Sequence, residues 1–280
     1  MGILGINYNR PGPGVSKNEP QKKGIKRFAE LFLREFSSLI KLNLFFCLFA
    51  VPSAALFVLG FFGTWGVPAL ILSIPAAFPL GGAVTACMYC VTKMLRDDPG
   101  YIFYEFKRKF KENIIQAALP GIIYTAFTFI QLYAWIGMIL GLIKVSFGTA
   151  AILIISAIFF EMTIPYVFLQ TAYLELKNSS ILQNSVILAI KNAPKSFCGM
   201  LLGHAGWITS FLLFPLSLWW TPLLLLFGFS LSWLVNTMWI WPAIDKVFCI
   251  EESLRAMREQ KTDGIETIFK AVEPSGTQIV

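Results

Sequence analysis

Charge and histidine are what this sequence has least of. Only 14% of its 280 residues are charged and His204 is the sole histidine, against 56% hydrophobic residues and a mean hydropathy of +0.66. Soluble domains carry about a quarter charged residues, so a soluble globular fold is excluded. G-x-S-x-G, H-E-x-x-H, P-loop and G-x-G-x-x-G sequences are absent too. We therefore expect no enzyme, no catalytic residue and no cofactor. Cysteines are few: Cys47, Cys87, Cys90, Cys198 and Cys249 all fall in or beside apolar segments, and none sits in a polar loop of the disulfide-bonded kind. Cys87 and Cys90 form a C-x-x-C, but no neighbouring cation or histidine lowers a thiol pKa there. They read as small buried hydrophobes, with no metal expected. The first forty residues are polar and basic, so no cleavable signal peptide is expected.

What is present is a series of apolar runs about twenty residues long, the length that crosses a bilayer. They predict an all-α polytopic bundle with six spans: Leu42–Phe62, Gly66–Thr92, Ile114–Met138, Phe147–Leu169, Cys198–Phe214 and Pro222–Ile244. The organisation is a basic segment over 1–41, the spans over 42–247 and a tail over 248–280. Lysines and arginines number eight before the first span, six over 93–111, three over 177–195 and five from 246, against Lys144 alone in the alternate loops. The positive-inside rule then places both termini in the cytoplasm of a cell-membrane protein. Trp65, Trp219 and Trp220 fall at one predicted boundary and Tyr101, Tyr104, Trp239 and Trp241 at the other, as aromatic belts do. The net charge of +7 is thereby explained by topology and implies no nucleic acid.

Within the spans, Glu161 is the most expensive side chain, since a carboxyl at mid-membrane must face protein or a water-filled cavity. Pro165, four residues on, frees the carbonyl of residue 161. A structural hydrogen bond with a tolerated kink is one reading; a role in transport, gating or docking is the other. His204 and Asn236 lie at depths from which either could meet Glu161. Pro79, Gly81 and Gly82 mark an expected helix break in the second span, of the kind that lines binding sites in transporters. Gly137/Gly141 and Gly199/Gly203 have the spacing of close helix packing.

Three amphipathic elements flank the spans on the basic side. Over Ile25–Lys41, Ile25, Phe28, Phe32, Phe36 and Leu39 share a face. A second is expected to start at an Asp98 N-cap with Pro99 at the first helical position. It carries Phe103, Phe106 and Phe110 on one side and Lys107, Arg108, Lys109 and Lys111 elsewhere, a pattern suited to contact with membrane lipids or a partner. The third covers Ser180–Ala193.

The opening MGILGINYNRPGPGV, the stretch KLNLFFCLFAVP, and PLGGAVTACMYCVTKMLRDDPGYIFYEFKRKFKENIIQA together resemble the YesL-like family of small membrane proteins from Gram-positive bacteria. They cover somewhat under half the chain, and the segment Gly66–Ala77 departs from the family pattern. Such proteins tend to accompany carbohydrate ABC importers. The resemblance therefore implies a non-catalytic accessory or assembly subunit, with an importer permease and ATPase as partners, and it carries no catalytic residues. The alternative is a stand-alone transporter working through the break at Pro79–Gly82 and Glu161.

The topology is directly testable. Cysteine labelling in intact cells should reach a probe placed at Lys144 and miss one near the C-terminus; labelling of the tail from outside would overturn the six-span reading.

Overall fold

The computed structural model describes residues 24–63, 65–98, 100–213 and 216–260. The basic segment 1–23, Pro99 and the tail over 261–280 lie outside the described residues. Those described are helical with no strand: α1 Ile25–Phe62, α2 Gly66–Ser73, α3 Phe78–Leu95, α4 Ile102–Ile139, α5 Phe147–Tyr173, α6 Asn178–Lys191, α7 Ala193–Leu212 and α8 Thr221–Phe248, with a further helix over 250–260. They divide into two units between Phe36 and Ser37.

Five of these segments are long and apolar enough to cross a membrane: Ile25–Phe62, Gly66–Leu95, Ile102–Ile139, Phe147–Tyr173 and Thr221–Phe248. The remaining expected span is α7. It is a 20-residue helix packed along α8, but Lys195, His204 and its glycines and serines dilute its apolar character. Gly199 and Gly203 explain its fit. A Cβ on Gly203 would stand 2.9 Å from the Ser232 carbonyl oxygen, and one on Gly199 would stand 3.0 Å from the Trp239 Cβ.

In the first unit, Arg27 and Arg34 pair with Glu30, Phe28 stacks on Phe32, and Phe32 meets Phe36 edge to face along the same stripe. The expected amphipathic element and the first span are segments of one uninterrupted helix, α1.

In the second unit, α3 is the central helix, buried at nearly every position from Leu80 to Thr92. Such a helix needs small residues where backbones meet, because every bulky side chain holds its neighbour off. A Cβ on Gly81 would fall within 2 Å of the Ala117 carbonyl oxygen, and one on Gly121 would stand 2.5 Å from the Gly81 nitrogen. Thr85 and Thr125, each four residues on, return their hydroxyls to the Gly81 and Gly121 carbonyls. Gly81 and Gly82 therefore do not break the second span; they seat α3 on α4.

The break comes earlier. Pro75 lacks the N–H that would bond Ile71, the chain tightens into a 3-10 turn over Pro75–Ala77, and Pro79 sits in the first turn of α3. The Ser73 carbonyl, left without its helical donor by this turn, accepts the Ser53 hydroxyl from α1.

Two helix ends also differ from expectation. Asp98 is not an N-cap. Asp97 adopts a left-handed conformation (φ 54°), Asp97 N–H donates to the Met94 carbonyl and Asp98 N–H to that of Lys93. This Schellman closure ends α3. Gly141 (φ 70°) does the same for α4, so Gly137 and Gly141 serve a helix terminus and not a helix–helix contact.

Overpacking the α3–α4 crossing is the sharpest test of this architecture. Gly81→Val and Gly121→Val should each lower stability by about 3 kcal/mol or prevent folding, because backbone has to move. Gly148→Ala, where the new Cβ meets nothing closer than 3.7 Å, should be neutral. Thermal unfolding in detergent measures both.

Candidate functional site

Two polar groupings stand out, one inside the spans and one at the basic end of the bundle. The first joins α5 to α7. Glu161 Oε2 lies 3.6 Å from His204 Nε2, and the His204 Nδ1 is 3.0 Å from the Met200 carbonyl oxygen of its own helix. At 3.6 Å the contact is electrostatic and too long for a hydrogen bond. Both side chains keep substantial exposure, 27% for Glu161 and 31% for His204. Tyr124 of α4 lies within electrostatic range of Glu161.

Asn236 is placed elsewhere. It is buried in α8 against Gly199, where a Cβ would stand 3.2 Å from its Oδ1. Pro165 is buried inside α5, which continues through it to Tyr173. Below it a row of polar side chains ties α5 to its neighbours. Tyr166 exchanges a hydrogen bond with Ser196 at 2.9 Å, and Gln170 Nε2 donates to Ser185 Oγ at 2.8 Å.

The second grouping is built from the ends of α3, α4 and α8. Lys93 Nζ donates to Glu105 Oε1 at 2.9 Å, and Arg108 bonds the other Glu105 oxygen and, at 3.1 Å, the Tyr89 hydroxyl. Lys109 lies 4.9 Å from the Tyr89 ring centre and reaches Glu112. Arg96 Nε donates to Glu251 Oε1 at 2.8 Å; Trp241 Nε1 donates to the same oxygen, and Arg258 pairs with Asp98. The start of the tail is thus docked against the end of α3. Beneath these charges Tyr89, Tyr173 and Trp241 pack as tilted rings with centroids 5.2 Å apart.

These contacts reassign the expected surface element. Phe106 and Phe110 pack on α1 residues Phe45 and Phe49, with Phe110 stacked on Phe49 at 4.5 Å. Phe103 reaches Phe45 but remains 62% exposed. Of the basic residues, Arg108 and Lys109 turn into the cluster and Lys107 stays exposed over Phe103. The apolar stripe is satisfied chiefly by α1, and α4 runs unbroken from this element into its span.

Sequence reasoning missed Asn43. Its Nδ2 donates to the Leu225 carbonyl at 2.7 Å while its Oδ1 accepts from the Phe229 and Ser230 amides. Leu225 and Phe229 are an i, i+4 pair, so a fully buried amide is inserted in the α8 ladder and fastens α1 to α8. The asparagine in the otherwise apolar KLNLFF was the available signal.

The sequence model of a family described as "Protein of unknown function, DUF624" matches residues 39–135. That stretch runs from just before the middle of α1 to near the end of α4, and so contains Asn43, the α3–α4 crossing and most of the basic-end cluster. No curated protein and no solved structure matches the chain.

Glu105 is the pivot of the cluster: its side chain is 13% exposed and its Lys93 partner 12%. Glu105→Gln leaves two cations facing one neutral amide, and breaking such a pair costs about 3 kcal/mol. Detergent thermal unfolding should show that loss, whereas Lys107→Gln should be silent.

Proposed function

We propose that this chain is a YesL-like, non-catalytic accessory subunit that assembles side by side with the permease of a carbohydrate ABC importer. In this reading it resides in the cell membrane with both termini in the cytoplasm. The importer assignment is supported by the family resemblance of the opening, of KLNLFFCLFAVP and of the α3–α4 segment. One observation carries the assembly reading. Glu161 and His204 lie within predicted spans, yet more than a quarter of each side chain stays accessible. Ionisable groups at membrane depth face protein or enclosed water, because hydrocarbon cannot solvate them. A neighbouring polytopic protein that supplies hydrogen-bonding groups at this level resolves the exposure.

The rival reading, a stand-alone transporter, needs the broken second helix and Glu161 to share one path. The break at Pro75–Ala77 adjoins α1 and α4, whereas Glu161 meets α7. That separation favours the accessory reading.

Affinity purification in mild detergent is the test. A permease and an ATPase should accompany the protein; Glu161→Gln, which keeps shape and hydrogen-bonding capacity, should retain them. Glu161→Leu should lower their recovery about tenfold, the equivalent of ~1.4 kcal/mol, with the monomer's elution unchanged. Purification of the protein alone, together with solute uptake into liposomes, would replace this reading with the transporter.

A further inference from the structure

A cavity of about 260 Å³ opens between α1, the broken second span and α4. Phe57, Leu70, Ile74, Phe129, Tyr133 and Ile143 form its walls. On α4 the lining runs from Ala126 to Ala134, roughly 12 Å at the helical rise. The surface is almost wholly apolar. Its Ser73 hydroxyl is already given to the Leu70 carbonyl, so water entering here would find few of the partners it needs. An empty crevice would forfeit the dispersion contacts of its lining.

The end of this cavity nearest the α4–α5 turn is built with some care. Leu142 N–H and Ile143 N–H both donate to the Gly137 carbonyl, which folds Ile143 back over Gly137. Gly137 leaves room for that side chain: a Cβ there would stand 2.5 Å from Ile143 Cδ1. The next residue is Lys144, exposed, and the segments 63–66, 140–146 and 213–220 contain no other charged residue. Among the described residues of these segments, an anionic group arriving at this end meets one cation and no carboxylate.

We propose that the cavity is a lipid site that holds an acyl chain of an anionic phospholipid from the surrounding leaflet, with Lys144 at its phosphate. The apolar walls take the chain without stranding a polar group, and the single lysine selects the headgroup charge. The assignment is independent of the importer reading.

Native mass spectrometry of the detergent-purified protein, mixed with equimolar dioleoylphosphatidylglycerol and dioleoylphosphatidylcholine, tests it. One lysine at an anionic headgroup corresponds to about a fivefold preference for phosphatidylglycerol. Lys144→Gln should reduce that preference to parity while total lipid binding persists. Ala134→Phe, which fills the cavity, should remove both lipids, and the milder Ala126→Leu should weaken both if the phenylalanine variant does not fold. The proposal is overturned if the wild type shows no preference, if the preference survives Lys144→Gln, or if the folded cavity-filled variants bind lipid as the wild type does.

Discussion

The backbone contact between Gly81 and Gly121 sets the register on which the second unit depends. α3 and α4 run antiparallel, so one fixed crossing determines every pairing along them. With Gly81 against Ala117 and Gly121, Gly82 meets Ile114 and Phe110, Tyr89 meets Arg108 and Lys109, and Lys93 meets Glu105. A slip of one helical turn would put side chains where only hydrogens fit and would separate Lys93 from Glu105 at the same time. Packing and electrostatics therefore specify the same register independently, which is how a sequence selects one arrangement over near alternatives.

The other fixed points extend from that pair. Asn43 couples α1 to α8 by joining the α8 backbone ladder, a bond that apolar contacts cannot imitate because it has one position and one direction. Glu251 couples the start of the tail to α3 and α8 through Arg96 and Trp241. Surrounded by hydrocarbon, helices gain little from burying apolar surface against one another, so glycine contacts and polar bonds of this kind decide which helices are neighbours. The DUF624 match over residues 39–135 covers Asn43, both glycines and the Lys93–Glu105 pair.

Much of the architecture was legible in the sequence because hydropathy and helix length are the same physical quantity read twice. The segments Gly66–Leu95 and Phe147–Tyr173 each contain the expected span, and the α7 glycines pack as their spacing foretold. What was not legible depended on tertiary partners. Pro79, Gly81 and Gly82 look like a break in isolation; the chain breaks at Pro75 instead, where it tightens into a 3-10 turn and Ser53 of α1 takes up the Ser73 carbonyl that the turn leaves free. The stripe Phe103, Phe106, Phe110 reads as a lipid-facing surface until Phe45 and Phe49 are known to cover most of it. Asp98 has the composition of an N-cap, yet the left-handed Asp97 before it had already committed the chain to another closure.

The two polar groupings differ in how completely their bonds are made. At the basic end, cations and carboxylates are interleaved at hydrogen-bonding distance, and the grouping holds three helix ends together. A clamp of that kind has its bonds already made. Glu161 and His204 are the reverse: fewer groups and a longer separation, at a depth where an unpaired polar group is most expensive. A fold that elsewhere buries Gln170 and Asn43 completely has no difficulty hiding polar side chains. This carboxyl and imidazole stay accessible, and they lie on α5 and α7, outside the stretch that the family model matches.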